Sequence, residues 1–376
     1  MIPFNKPYLT GNETKYIEEA VNSGKISGNG MFTKKCQAYF EKKLGVKKAL
    51  LTTSCTDALE MCAILLNIQP GDEVIMPSYT FVSTANAFIL RGAKIIFADS
   101  RKDNPNIDES KLEDLITNKT KAIVVVHYAG VACEMDAIMK IANTHKLYVV
   151  EDAAQAIDSY YKGKPLGSIG HLAAFSFHET KNIQSGEGGV LVINDDEFIE
   201  RSEIIWEKGT NRSAFFRGEV DKYGWVDVGS SFLPSEIISA FLWAQLENLD
   251  KIQAKRKQIW NAYNEGLKKL EKSNQVKLPT IPENCTNNAH MYYLLCSSLQ
   301  ERTALIRFLK ERDITAVFHY LSLHKSPFFN DMYEGKELRA VENYSDTLLR
   351  LPLYYELEKE DQVLVIKNIL EFFNKN

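Results

Sequence analysis

The feature that most constrains this fold is the alternation of short apolar runs with helical segments between residues 47 and 193. The apolar runs have the length and β-branched content of buried strands, and the segments between them include apolar side chains at helical spacing. The candidate strands are residues 123–127, 147–150 and 172–177, and the candidate helices are residues 107–115 and 135–145. Such alternation builds βαβ units, so the sequence predicts an α/β fold with a mostly parallel central sheet.

The second half of the chain has a different organisation. A long helical pattern covers residues 235–270, and prolines at 279 and 282 mark the loop that follows. Beyond it the pattern predicts a strand and two helices, at residues 291–296, 302–312 and 361–373. Because 376 residues exceed one usual core, we predict a large domain at residues 1–250 and a small α+β domain at residues 251–376.

The strongest candidate for chemistry is Lys181. It lies between the apolar run that ends near Ser176 and Phe177 and the glycine-rich stretch at residues 185–189. Open α/β sheets bind ligands at the carboxyl ends of their strands. A lysine that loses solvation there has a lowered pKa and can form a Schiff base with an aldehyde. A solvated surface charge is the ordinary alternative for any single lysine.

An acidic pair follows another candidate strand. Glu151 and Asp152 end the run at residues 147–150, and Gln155 lies three residues beyond Asp152. A carboxylate at the end of a buried strand needs a cation, and the pyridinium nitrogen of pyridoxal phosphate (PLP) is such a cation. Gln155 is then placed to hydrogen-bond the ring hydroxyl. The alternative for Asp152 is a helix N-cap.

A possible phosphate site follows the run at residues 50–51. Ser54, Cys55 and Thr56 precede a helical pattern, and a helix N-terminus with free N–H groups suits a phosphate. An ordinary Ser/Thr cap explains the same residues. Neither a Walker-type loop nor a Gly-x-Gly-x-x-Gly motif is present, which leaves nucleotide hydrolysis and dinucleotide binding poorly supported.

These groups, in this chain order, resemble the PLP-dependent enzymes of the aspartate aminotransferase fold type. Over nearly its whole length the chain resembles the DegT/DnrJ/EryC1/StrS sugar-nucleotide aminotransferases. The segments that carry this resemblance are residues 2–5, 69–86, 127–130, 208–213 and 318–320.

The resemblance implies roles for individual residues in binding the cofactor, pyridoxal 5'-phosphate. Lys181 is expected to hold it as a Schiff base, with Asp152 at the pyridine nitrogen and Gln155 at the ring hydroxyl. Ser176 is expected to contact the phosphate together with the Ser54, Cys55 and Thr56 region. Phe81 is expected to stack on the ring, although as a bare feature it is more often core. His178 is either near the site or a strand-end histidine satisfied by backbone.

Two positions depart from the family pattern. Many relatives carry an asparagine that reaches the phosphate of the neighbouring subunit, where this chain has Ser231 in the stretch 229–233. Either this chain lacks that contact, or Ser231 or Ser230 beside it makes the contact instead. Cys55 stands where many relatives have glycine, and contacts through backbone N–H groups survive that change.

For the substrates the resemblance implies a dTDP-linked 4-keto-6-deoxy sugar and L-glutamate. Lys208, Asn211 and Arg212 suit a pyrophosphate, with a solvated loop as the alternative. His319 and Tyr320 are expected to line the sugar or the donor carboxylate, with simple packing as the equal alternative.

Two other functions occur on the same fold or could be built on it. Related sugar dehydratases typically have histidine at the lysine position, so Lys181 argues against that reaction. A non-catalytic protein on this fold is disfavoured by the combination of Lys181, Asp152 and Gln155.

The composition of the chain bears on its partners and its cellular location. The net charge of -4 gives no electrostatic footprint for nucleic acid or an acidic membrane surface. The six cysteines lack metal-ligand spacing and suit reduced thiols, and no apolar run is long enough to span a bilayer. We expect a cytoplasmic protein with no signal segment before Pro3, no metal, and a homodimer whose active site lies at the subunit interface.

Overall fold

The computed structural model describes residues 1–375 and has a seven-stranded sheet at its centre. The strand order is β1-β9-β8-β5-β4-β2-β3. The strands are β1 (Lys48–Thr52), β2 (Glu73–Pro77), β3 (Lys94–Ala98), β4 (Thr120–Val126), β5 (Tyr148–Asp152), β8 (Leu172–Ser176) and β9 (Gly189–Ile193). Only β9 runs against the others, so the predicted mostly parallel sheet is confirmed.

Helices cover both faces of this sheet. They are α1 (Glu13–Asn22), α2 (Met31–Leu44), α3 (Cys55–Leu65), α4 (Val82–Ile89), α5 (Met135–His145), α6 (Ile199–Trp206), α7 (Arg212–Phe216) and α8 (Glu236–Leu246). A small hairpin pairs β6 (Tyr160–Tyr161) with β7 (Lys164–Pro165). Because side chains alternate along a strand, each apolar strand contributes to two cores, one on each face of the sheet.

The C-terminal part builds a second, three-stranded sheet. Its strands are β10 (Tyr292–Leu295), β11 (Val317–Phe318) and β12 (Leu348–Leu351), in the order β10-β12-β11 and antiparallel throughout. The helices are α9 (Leu249–Lys272), α10 (Leu299–Lys310), α11 (Arg339–Thr347) and α12 (Lys359–Lys375). Packing partners change within α9, because Ile252 joins the core of the large sheet and Ile259 joins the core of the small one. A boundary at residues 250/251 stays a prediction.

Two sequence-based expectations differ from the structure. The helix expected at residues 107–115 is wrong, since that stretch contains only two single 3₁₀ turns, at Glu109–Lys111 and Glu113–Leu115. The long pattern at residues 235–270 forms two helices, α8 and α9, separated by Glu247 and Asn248. Apolar side chains recur at helical spacing on both sides of the break. The spacing alone therefore does not reveal the turn between the two helices. No helix among residues 1–375 is long and apolar enough to cross a bilayer.

Candidate active site

A cavity of about 480 Å³ opens at the carboxyl edge of the large sheet. Its walls come from segments that leave β1, β2, β5 and β8, together with residues contributed by the small sheet. Parallel strands bring their carboxyl ends to one edge, which explains why residues distant in sequence meet there. Eleven predicted residues line it: Ser54, Cys55, Thr56, Phe81, Asp152, Gln155, Ser176, His178, Lys181, His319 and Tyr320.

Lys181 lies in the loop that leaves β8, and its backbone N–H donates to the His178 carbonyl at 2.9 Å. Burial lowers the pKa of the Lys181 ammonium, and the nearby positive charge of Arg350 acts in the same direction. Cys55 and Asp152 oppose that shift without reversing it. A lysine with a lowered pKa supplies the neutral amine that attacks an aldehyde.

Asp152 ends β5 with its carboxylate turned toward the cavity. Thr84 Oγ1 donates to Oδ2 at 2.7 Å, and the Ala154 N–H donates to Oδ1 at 3.2 Å. Burial raises the pKa of this carboxyl in spite of those bonds and of the nearby Lys181 charge. No helix begins after it, so the N-cap alternative for Asp152 is wrong. A buried carboxylate that is incompletely compensated suits a bound cation such as a protonated pyridine nitrogen.

Gln155 bridges two parts of the cavity wall. Its Oε1 accepts a hydrogen bond from the Ala129 N–H at 2.6 Å, which turns the amide nitrogen toward the cavity. That nitrogen donates to the Tyr320 hydroxyl at 3.3 Å. Because an amide nitrogen carries two hydrogens, a second donor is available for a ligand hydroxyl.

The turn at residues 54–56 has the geometry of a phosphate site. Ser54 is the N-cap of α3 and accepts from the Asp57 N–H at 3.0 Å, so the ordinary cap interpretation is confirmed for this residue. Thr56 Oγ1 donates to Ser83 Oγ at 2.8 Å. A Cβ on Gly189 would lie 2.5 Å from the Ser54 carbonyl carbon, so only glycine allows β9 to approach the turn this closely. The N-terminus of an eleven-residue helix therefore faces the cavity.

Aromatic side chains form the opposite wall. Phe81 is 55% exposed, so its interpretation as simple core is wrong, and its ring centroid lies 6.2 Å from that of Tyr320. His319 Nδ1 and the Tyr128 hydroxyl are 2.9 Å apart. Burial, together with the charges of Arg350 and Lys181, lowers the pKa of His319 well below its usual range and keeps it neutral. His178 Nδ1 contacts Thr180 Oγ1 at 2.9 Å while its ring stays at the cavity rim.

Ten residues of the cavity wall were not among the predicted site residues, and three of these bear most directly on its chemistry. Arg350, on β12, is half-buried with its guanidinium 4.7 Å from the Phe4 ring centroid, and its buried Nε has no hydrogen-bond partner within residues 1–375. Burial lowers the pKa of this guanidinium. Thr84 and His290 are the others. The available signal was a lone arginine inside an apolar strand, because charged residues are rarely buried without a purpose.

Four predicted residues lie outside the cavity of this chain: Lys208, Asn211, Arg212 and Ser231. We call them the outer cluster. The Lys208 N–H donates to the Ser230 carbonyl at 3.0 Å, and Ser231 is paired with Glu207 in a β-bridge. Arg212 lies 3.9 Å from Glu207. Their assignment to the substrate or to a cofactor phosphate stays a prediction.

The charges and shapes of the cavity fit PLP. Lys181 and Arg350 favour an anion, Asp152 favours a protonated ring nitrogen, and the turn at residues 54–56 favours a phosphate. An α/β fold with this arrangement is typical of a PLP-dependent enzyme, and among these enzymes are the aminotransferases.

Comparison with known proteins agrees with that class. The sequence model of the DegT/DnrJ/EryC1/StrS aminotransferase family matches residues 7–370. Spore coat polysaccharide biosynthesis protein SpsC of Bacillus subtilis is 33% identical over 98% of this chain and 96% of its own. GDP-perosamine synthase of Escherichia coli O157:H7 is 31% identical over 99% of both chains.

The fold is also shared with solved structures. The PLP form of the putative sugar aminotransferase Spr1654 from Streptococcus pneumoniae superposes with a TM-score of 0.90 at 25% identity, covering 100% of this chain and 99% of that one. The chain belongs to the DegT/DnrJ/EryC1/StrS aminotransferase family, and its cofactor is PLP.

Proposed function

We propose that this protein transfers the amine of L-glutamate to C4 of dTDP-4-keto-6-deoxy-D-glucose, giving dTDP-4-amino-4,6-dideoxy-D-galactose. The observation that carries the proposal is a cavity that joins Lys181 and Asp152 to the guanidinium of Arg350 and to the N-terminus of α3. The sugar follows from the resemblance to dTDP-4-amino-4,6-dideoxygalactose transaminase, the enzyme of enterobacterial common antigen synthesis. A cytoplasmic location goes with that role.

Some residues of the cavity bind the cofactor and one transfers a proton. When bound, PLP supplies an aldehyde that takes up the donor amine and a ring that spreads negative charge from the donor α-carbon. Asp152 keeps the ring nitrogen protonated, and Gln155 orients the ring through its hydroxyl. The freed Lys181 Nζ takes the proton from the donor α-carbon, which requires the neutral amine that burial favours. Phe81 excludes water from one ring face.

Arg350 is the proposed binding group for a donor carboxylate. Its planar fork matches a carboxylate in two parallel hydrogen bonds, and its Nε lacks a protein partner among residues 1–375. Arg350→Gln is expected to raise the KM for L-glutamate by about 10- to 100-fold, the value of one charged hydrogen-bonded contact, with little change in the KM for the sugar. Arg339→Gln is the control, because that side chain is 84% exposed. Equal effects on both KM values would refute this role.

Lys181→Ala tests the chemistry itself. We expect at least about a 10⁴-fold loss of turnover, since the general base and the covalent attachment are lost together. The visible absorbance of lysine-bound cofactor should disappear, with any remaining cofactor absorbing as the free compound. Lys162→Ala is the matched control, because Lys162 pairs with Asp136 on the surface. A visible band that survives in Lys181→Ala would rule out the assignment of Lys181.

The substrate is tested with L-glutamate and matched 4-keto-6-deoxy sugars linked to dTDP or GDP. A GDP-linked sugar is the second candidate, because relatives at 31–34% identity include GDP-perosamine synthases. NMR coupling constants at C4 then distinguish the galacto product from the gluco product, which is the alternative outcome of the same chemistry. Loss of water from the sugar without gain of an amine would favour a dehydratase, the function that Lys181 argues against.

We further propose a homodimer in which the outer cluster completes the site of the partner subunit. Ser231 and Arg212 lie outside the cavity of their own chain, and Phe216 and Trp225 in the same region are 69% and 85% exposed. Mixing Lys181→Ala with Arg212→Ala subunits should then restore about a quarter of wild-type activity, since half the dimers are mixed and each has one complete site. No recovery on mixing, with dimer exchange verified, would refute a shared site.

A further inference from the structure

Residues 2–5 form a segment to which the proposed function gives no role, and we call it the N-terminal segment. It begins on the small sheet. The Ile2 N–H donates to the Asp313 carbonyl at 2.7 Å, and the Ile2 carbonyl accepts from the Thr315 N–H at 3.0 Å. The Ile2 side chain is also buried in the core of the small sheet. The beginning of the segment is therefore fixed to that sheet by backbone and side chain together.

The N-terminal segment then continues toward the loop that carries Lys181. The Phe4 carbonyl accepts from the Leu353 N–H at 3.4 Å, just beyond β12. The Asn5 amide nitrogen donates at 3.3 Å to the carbonyl of Glu179, two residues before Lys181. Phe4 thus lies between one contact with the small sheet and one with a loop of the large sheet, and both limit the movement of its backbone.

The ring of Phe4 lies against the guanidinium of Arg350. The central carbon of the guanidinium is over the ring, 4.7 Å from the ring centroid. A cation within about 6 Å of a ring centroid is attracted by the negative face of the ring. Arg350 lines the cavity, whereas none of residues 2–5 does so. The ring therefore contacts the guanidinium from outside the cavity.

Arg350 lacks the polar contacts that usually hold an arginine side chain in one orientation. Its buried Nε has no hydrogen-bond partner, and no carboxylate within residues 1–375 forms a salt bridge with it. A long side chain without such contacts loses much rotamer entropy when a ligand orders it. An aromatic ring against the face of the guanidinium limits its rotation beforehand and leaves the N–H groups, which lie in the plane, available to an anion.

We propose that Phe4 is a positioning residue that holds the Arg350 guanidinium in the orientation in which its N–H groups bind a carboxylate in the cavity. This inference rests on the proposed role of Arg350 in binding the donor carboxylate. The N-terminal segment thereby connects the small sheet and the Lys181 loop to the donor site.

The binding of glutarate to the full-length holoenzyme tests this role. Glutarate has the two carboxylates of glutamate and no amine to react, so isothermal titration calorimetry gives its dissociation constant without turnover or sugar. Phe4→Leu keeps an apolar side chain and removes the ring, and it should weaken glutarate binding by about 3- to 30-fold, the range of a cation–π contact. Phe4→Tyr keeps the ring and should stay close to wild type.

The matched control is Phe308→Leu. Phe308 is half-buried like Phe4, and its ring centroid lies 3.5 Å from the guanidinium of Arg312, outside the cavity. The substitution removes the same kind of stacked pair from another part of the small domain, so glutarate binding should be unchanged. A loss in Phe308→Leu equal to that in Phe4→Leu would overturn the proposal.

A double variant separates action through Arg350 from a general effect on the fold. Phe4→Leu combined with Arg350→Gln should bind glutarate no more weakly than Arg350→Gln alone, because the group that Phe4 positions is already absent. A purely structural role predicts a further loss of about 3- to 30-fold. Weakened binding in Arg350→Gln with unchanged binding in Phe4→Leu overturns the role of Phe4 alone. Unchanged binding in Arg350→Gln overturns the donor site as well.

Ring fluorination provides a test that preserves the shape of the side chain. Phenylalanine carrying one, two or three ring fluorines is incorporated at position 4 of the full-length chain, which withdraws negative charge from the ring face by steps. Glutarate binding should weaken with each added fluorine, because the attraction depends on that charge. Packing alone predicts equal binding across the series, and that result would overturn the proposal.

Discussion

Glu151 and Asp152 are consecutive carboxylates at the end of β5, and they face opposite sides of the sheet. Glu151 is fully buried and accepts hydrogen bonds from His127 Nε2 and from the N–H groups of Gly167, Ile169 and Gly170. Asp152 faces the cavity with one hydroxyl donor and one N–H donor.

The pKa values of these two buried carboxyls therefore shift in opposite directions. Burial alone would raise the pKa of both carboxyls, and at Glu151 the bonds from His127 and the glycine N–H groups reverse the effect and lower it. At Asp152 burial prevails and the pKa is raised. A buried carboxylate that is fully satisfied by protein stabilises the fold, whereas one left short of partners is available to a ligand cation.

Among the substitutions that test this difference between the two carboxylates, Asp152→Asn is expected to have the largest effect. The amide keeps the shape and removes the charge that holds a ring nitrogen protonated, so kcat should fall by about a thousand-fold. Steady-state kinetics with saturating cofactor measure the loss. Asp152→Glu is the control that keeps the charge, and a loss below tenfold in Asp152→Asn would mean that Asp152 has no such partner.

Glu151→Gln should have the opposite profile. It removes the charge that three N–H groups and His127 stabilise, and we expect the free energy of unfolding to fall by about 3 kcal/mol. Urea denaturation of the cofactor-free protein measures this. Asp152→Asn should be at least as stable as wild type in the same assay, because it removes a buried charge that burial disfavours. Equal destabilisation by both substitutions would break the distinction between the two carboxylates.

Thr84→Val tests how much the hydroxyl donor of Thr84 contributes to the charge of Asp152. The substitution deletes the hydroxyl that donates to Asp152 and preserves the side-chain volume. Without that donor the pKa of Asp152 should rise further and its charge should weaken. We expect kcat/KM to fall about tenfold, the value of one hydrogen bond to a charged group. Thr33→Val, at a buried hydroxyl bonded to Glu236 away from the cavity, controls for loss of a hydroxyl as such. A smaller loss in Thr84→Val than in this control would contradict the role of Thr84.

The smallest effect is a difference in pH dependence. The folded pKa of Glu151 is lowered, so its stabilisation is present above its unfolded pKa of about 4.3 and is lost as the pH falls through the folded value. The folded pKa of Asp152 is raised, so its ionisation costs stability above its unfolded pKa of about 3.9. With rising pH, Glu151→Gln should become less stable relative to wild type and Asp152→Asn more stable. Unfolding curves between about pH 2 and pH 7 would show it, and parallel curves would contradict it.

Much of the site was predictable because strand ends can be recognised locally. Lys181, Asp152 and Ser54 each follow an apolar run, and parallel strands bring such ends to one edge. Arg350 and His290 were not predictable in this way, because they belong to the small sheet and reach the cavity only through packing between the two sheets. The break between α8 and α9 was not predicted either, because apolar side chains recur at helical spacing through both helices.

By itself the sequence determined the alternation of strands and helices in the first half of the chain, the parallel sheet and the positions of the lysine and the aspartate, because these depend on local apolar periods and on polar residues at strand ends. It also carried the family resemblance, which the matching family model confirms. Only the tertiary structure decided which of the two neighbouring carboxylates is satisfied by protein and which faces the cavity. Hydrogen-bond satisfaction and desolvation depend on groups that lie far apart in the chain and meet only when it is folded.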